Sequence, residues 1–120
     1  MDKFTAGYIE CALWASIDDD GEPLDSVYSA DDLALEAVKQ IEADCRDFQE
    51  AQSALLAKAA QDTDYSDDYA GHDFFLTRNG HGAGFWDRGL GDIGHQLTAA
   101  CKPYGSQDLY VGDDGKIYCS

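Results

Sequence analysis

The sequence predicts an α+β domain: two N-terminal helices, the second one long, then a hairpin, a helix and a second hairpin. The strands form a small antiparallel sheet covered by the helices. Three features point there. Apolar residues recur at spacings of three and four through the first 60 positions, the period of a helix face. β-prone stretches broken by glycine-rich turns follow from His72 onward. Strands joined by short turns pair antiparallel, because a parallel pair needs a long crossover. At 120 residues, 44% of them hydrophobic and 12% aromatic, the chain suits one folded domain over 1–120. Residues 1–70 form an acidic helical half, and residues 71–120 a glycine- and aromatic-rich half that holds the strands.

The first helix runs from Phe4 to Ile17. Phe4, Tyr8, Cys11 and Ala15 define its apolar face, and Leu13 and Trp14 widen it. The acidic turn Asp18-Asp19-Asp20-Gly21 stops it, and Pro23 lies in a loop that reaches Ser29. Ser29 then reads as an N-cap, with Asp31 and Asp32 in the first turn where carboxylates suit the helix dipole. Ala34, Val38, Ile41, Cys45, Phe48, Gln52, Leu55 and Ala59 follow in a heptad-like stripe. A single helix from Asp31 to about Ala60 would be roughly 45 Å long. Its stripe either packs on the domain's own sheet and first helix or meets a second copy, giving a homodimer through the long helix.

Asp62 to Gly71 reads as a polar linker. His72 to Arg78 has strand propensity, Asn79 to Gly84 turns, and Phe85-Trp86-Asp87 returns, a hairpin with a broad tip. Leu90, Ile93, Leu97 and Cys101 define a short helix that Pro103 and Gly105 end. Asp108 to Val111, a Gly112-Asp113-Asp114-Gly115 turn and Lys116 to Tyr118 form the clearest hairpin.

Charge narrows the function. The chain has 24 acidic and 8 basic side chains, a formal net charge of -16. Residues 1–70 hold 18 acids and 4 bases, against 6 and 4 in residues 71–120. Such a surface repels phosphates and anionic lipids, so no direct nucleic-acid or membrane partner is expected. No apolar run approaches the ~20 residues of a membrane span. The start, Met-Asp-Lys-Phe-Thr, lacks the pattern of a secretory signal, so a cytoplasmic location is expected.

Cys11, Cys45, Cys101 and Cys119 contain no C-x-x-C pair, which leaves a zinc ribbon unsupported. The first three fall among apolar residues and read as reduced core thiols. His72, His81 and His95 form no H-E-x-x-H motif. Asn79-Gly-His-Gly-Ala-Gly84 lacks the P-loop lysine and following helix, so its glycines read as turn geometry. No cofactor, metal or catalytic residue is expected. Arg78 and Arg88 flank this tip and are expected to pair with internal carboxylates such as Asp73 or Asp87.

The run HDFFLTRNGHGAGFWDRG, residues 72–89, resembles a motif of a family of small tailed-bacteriophage proteins. The tail Asp108 to Tyr118 and the start, Phe4 to Glu10 with Ala12-Leu13-Trp14, belong to the same resemblance, which covers most of the chain. That family has no established activity. The resemblance implies a phage product made in the bacterial cytoplasm and supplies no catalytic residues.

The leading expectation is a phage inhibitor whose acidic, DNA-mimic-like surface occupies a basic groove on a host nucleic-acid-binding or defence protein. Its candidate binding face comprises Asp18, Asp19, Asp20, Glu22 and Asp25 in the first loop, and Asp31, Asp32, Glu36, Asp47 and Glu50 on the long helix. Asp62, Asp64, Asp67 and Asp68 lie beyond. Arg46, spaced to pair with Glu42 and Glu50, is instead the mark of an ordinary solvated face. A second expectation is a non-catalytic phage accessory protein that binds a protein partner through Tyr65, Tyr69, Phe85 and Trp86. A third is a small enzyme centred on His81 and the surrounding glycines.

Overall fold

Asp2 starts the first helix: its Oδ1 accepts a hydrogen bond from the Thr5 amide at 2.8 Å. In the computed structural model, which describes residues 1–120, this helix is α1 (Lys3–Ala15). It buries Phe4, Tyr8 and Cys11 and also Ile9, Ala12 and Leu13, while Trp14 is 62% exposed. The turn that follows is closed by an Ile17–Pro23 bridge and organised by Asp18, whose Oδ1 accepts from the amides of Asp20 and Glu22.

The long helix is broken. Ser29 and Asp32 form a reciprocal capping box, but the turn they cap is a short 3-10 turn, Ala30–Asp32. Leu33 then runs extended, and the Ala34 amide donates to the Ile117 carbonyl at 2.8 Å. Helix α2 (Leu35–Ala51) begins only there, and α3 (Ser53–Thr63) follows a break at Gln52. Most of the heptad stripe survives as burial: Ala34, Ile41, Cys45, Phe48 and Ala59 are buried in this chain's own core, joined by Ala37, while Val38, Gln52 and Leu55 are half-buried. The break lets the two pieces follow that core, with α3 reaching the later helix 92–101. The stripe thus packs largely on this domain's own core.

The largest correction falls on residues 62–87. The expected linker and first hairpin are helix α4 (Asp67–Arg78), joined to α3 by 64–66, with Asp64 in the left-handed region at φ 50°. Two carboxylates open α4 and Arg78 closes it, as the helix dipole favours. The signal was masked because Ala70, Gly71, Asp73, Phe74, Phe75 and Leu76 are all buried, which erases the helical period. Aromatic residues then look β-prone, although that propensity follows packing context. Residues 79–84 form a loop, not a hairpin tip, and lead to a 3-10 turn, Phe85–Asp87.

Helices α1 and α4 make the most extensive contact in the fold. They cross backbone to backbone at two glycines: a Cβ on Gly71 would lie 1.9 Å from the Phe4 carbonyl oxygen, and one on Gly7 2.3 Å from that of Asp68. Around this crossing Phe48 stacks on Phe74 at 4.3 Å and on Phe85 at 5.7 Å, and Tyr8 meets Phe75 edge-on at 5.3 Å.

Helix α5 (Asp92–Cys101) is followed by the hairpin of β1 (Leu109–Val111) and β2 (Ile117–Cys119), paired Leu109 to Cys119 and Val111 to Ile117. Gly115 takes φ 79° in its turn, and the Asp114 carboxylate accepts from the Lys116 amide and the Tyr118 hydroxyl. The fold is therefore α+β, with five α-helices and one two-stranded antiparallel sheet. It is 43 × 25 × 24 Å, and no helix is long and apolar enough to cross a membrane.

Candidate functional site

Two of the three arginines are committed to carboxylates of this chain, Arg78 from a buried position and Arg88 from a partly exposed one. Arg78, with 3% of its side chain exposed, donates to Asp44 Oδ2 at 3.0 Å, the Tyr8 hydroxyl at 3.2 Å and the carbonyls of Gly105 and Tyr104. It thereby ties α1, α2, α4 and the 102–105 turn together. Arg88 makes a bidentate pair with the fully buried Asp73, Nη2 to Oδ1 at 2.9 Å, and the Tyr65 hydroxyl donates to the other carboxylate oxygen. Burial and the Asp73 charge push the Tyr65 hydroxyl far above its ordinary value, so it stays a donor. The hydrogen bond to Asp73 raises the Arg88 pKa, more than burial lowers it. The expected internal pairing thus joins Arg88 to Asp73, whereas Arg78 takes Asp44, a partner far away in sequence.

The consequence is on the outside. Of the 24 acids, only Glu10, Asp44 and Asp73 lie within 4.0 Å of a basic side chain, and Glu10 only of His72. Arg46 forms no ion pair with Glu42 or Glu50. The carboxylates of the expected face differ in their duties. Asp18 holds its turn, Asp32 caps the Ala30–Asp32 turn through the Ser29 amide, and Asp47 accepts from the Tyr104 hydroxyl at 2.5 Å. Asp19, Asp20, Glu22, Asp25, Asp31, Glu36, Glu50, Asp62, Asp64, Asp67 and Asp68 are exposed. Asp68 is held below its ordinary value, chiefly by a hydrogen bond with Ser66.

Tertiary folding gathers part of this set with residues the sequence did not single out. Asp18, Asp19 and Asp20 line a groove of about 400 Å³ together with Asp113 from the β1–β2 turn, Tyr28 and Tyr110. Tyr28 also lines a neighbouring groove of about 360 Å³, in which Asp25 and Glu10 stand beside Ile9 and Leu13. Glu10 and Asp25 recur next to Trp14 and His72. Asp62, Asp64, Asp67 and Asp68 line none of these grooves and stand at the α3–α4 junction, where the Asp68 backbone packs against Gly7 of α1. No sequence signal placed Asp113 or Tyr110 against the first loop; Trp14 was legible only as a wide point of the α1 apolar face.

No protein-family model, curated protein or solved structure matches the chain. Its chemistry must be read from the groups themselves. Burial pushes the thiols of Cys11, Cys45 and Cys101 up to about 12 and that of Cys119 to about 11, so none is a thiolate at neutral pH. No group of three or more His, Cys, Asp or Glu side chains is placed to hold a metal ion. His81 is exposed and stacks on Phe75 at 5.9 Å. The aromatic surface is smaller than expected: Tyr65 and Phe85 are core residues, 8% and 0% exposed, while Tyr69 and Trp86 are 56% and 46% exposed.

Proposed function

We propose that this chain is a non-catalytic, phage-encoded inhibitor that acts in the bacterial cytoplasm. Its acidic, DNA-mimic-like surface would occupy a basic surface on a host nucleic-acid-binding or defence protein. The observation that carries this reading is the scarcity of ion pairs outside: Arg78 and Arg88 are engaged by Asp44 and Asp73, and most carboxylates face solvent with no basic side chain within 4.0 Å. The density is of the right order. A duplex as long as this molecule's 43 Å axis carries about 25 phosphates, against 24 carboxylates here and a net charge of -16. The resemblance of residues 72–89 to tailed-phage proteins supports the origin.

The test is capture from nuclease-treated bacterial lysate at low and high salt. The reading expects a nucleic-acid-binding protein that is lost at high salt and displaced by duplex DNA. A partner that resists salt and ignores DNA would refute it and favour the accessory-protein alternative. That alternative keeps two exposed anchors, Tyr69 and Trp86, but has lost Tyr65 and Phe85 to the core.

A further inference from the structure

The geometry points to a docking surface for a basic, apolar-anchored segment of a partner protein, on the face built from α1, residues 17–30 and β1. This deepens the acidic-inhibitor reading and rests on it. Trp14, Ile17 and Tyr110 are 62%, 63% and 50% exposed, and they stand on or beside the two grooves that share Tyr28. One groove has an apolar floor that includes Ile9 and Leu13, with Glu10 and Asp25 on its rim. The other sets Asp19, Asp20 and Asp113 beside two tyrosine rings. No Lys or Arg lines either of them or the adjoining Trp14 site.

Charge complementarity selects the occupant. A second copy related by a two-fold axis would bring these carboxylates against themselves, which like-charge repulsion opposes. Nucleic acid and anionic lipid meet the same repulsion. A purely ionic partner leaves Trp14, Ile17 and the Leu13 groove unused, although exposed aromatic and aliphatic side chains are the usual anchors of an interface. A protein segment that presents apolar side chains flanked by Lys or Arg satisfies both halves. Its apolar groups fill the Leu13 groove against Trp14. Its cations lie between the Tyr28 and Tyr110 rings and the Asp19, Asp20 and Asp113 carboxylates.

The test uses the full chain carrying Trp86→Phe, which leaves Trp14 as the sole tryptophan reporter. Two synthetic probes of equal positive charge are titrated at low salt: an amphipathic Leu/Lys helical peptide and an oligolysine. The Leu/Lys peptide is expected to shift Trp14 emission to the blue and to bind roughly tenfold more tightly than oligolysine. Replacing Asp19, Asp20 and Asp25 with Asn should weaken the peptide roughly tenfold, whereas the same change at Asp62, Asp64 and Asp67 should cost less than about twofold. All six side chains are exposed, so the fold is retained. Equal binding of both probes without a Trp14 shift, or loss that follows the second triple variant, overturns this docking site and leaves the acidic-inhibitor reading standing. Failure of both probes to bind overturns the two together. A dimer in sedimentation that Trp14→Ala disrupts makes a second copy the occupant and overturns the inference.

Discussion

Replacing Gly71 with Ala tests the central crossing of the fold. The added methyl would sit 1.9 Å from the Phe4 carbonyl oxygen and 2.9 Å from the Tyr8 amide nitrogen. A carbon–oxygen contact tolerates about 3.3 Å, so α1 and α4 must part by more than about 1 Å. Neither neighbour is a side-chain end that can swing aside; both are backbone of a buried helix. A gap of that size forfeits a quarter to a half of each dispersion contact across it, including the Tyr8–Phe75 and Phe4–Phe74 pairs. Overpacking of this kind costs about 1–3 kcal/mol, and the rigid surroundings argue for the upper end or beyond. Better helix propensity returns about 1 kcal/mol. The net expectation is a loss of about 2–3 kcal/mol, or roughly 10 °C in Tm, read by urea and thermal unfolding followed by circular dichroism. Gly82→Ala is the control: no atom lies within 4 Å of its Cβ and its φ is ordinary, so stability should change by less than about 0.5 kcal/mol. A Gly71→Ala protein as stable as the wild type would refute the close crossing, because propensity alone would then govern the site.

Other outcomes follow from the charges. Arg88→Met strands the fully buried Asp73 carboxylate with only the Tyr65 hydroxyl, and should cost about 3 kcal/mol in urea unfolding, more than Asp73→Asn. Burial raises the Asp2 pKa, but hydrogen bonds from Thr5 and Gln49 outweigh it and hold the group below its ordinary 3.8. Its cap therefore stabilises α1 above that value and loses the contribution as pH falls through the lower folded pKa. Asp2→Ala should cost about 1 kcal/mol at neutral pH, and the difference from wild type should vanish in acid; a constant difference would contradict the cap's charge dependence. Raising NaCl from about 0.01 M to 1 M shortens the Debye length from about 30 Å to 3 Å, and should raise Tm by relieving repulsion among unpaired carboxylates. A Tm that falls with salt would mean that attractive pairs dominate the surface.

Local information was enough for α1, α5 and the final hairpin. Each carries its own period and its own stop, such as Gly105 after α5 or the Gly112–Gly115 turn. Most of the apolar stripe from Ala34 to Ala59 was legible too, because a helix that covers a core shows one apolar face whether or not it bends. The break at Gln52 was not, since it answers to the curvature of the core and not to a breaker residue. Helix α4 was misread for a related reason. Beyond its exposed first turn α4 is nearly all buried, so it shows little polar face, and Gly7 and Gly71 let α1 approach it at a distance no sequence pattern announces.

The candidate site divides the same way. Composition alone determined that the surface is acidic and that the excess lies in residues 1–70, because charge is additive and nearly all carboxylates must remain solvated. Which charges cancel is a matter of distance. Only the tertiary structure draws Arg78 to Asp44 and Arg88 to Asp73, and brings Asp113 and Tyr110 beside the 18–20 turn. Coulomb attraction and groove shape act between residues that are neighbours in space, and the chain order of these residues holds no record of that proximity.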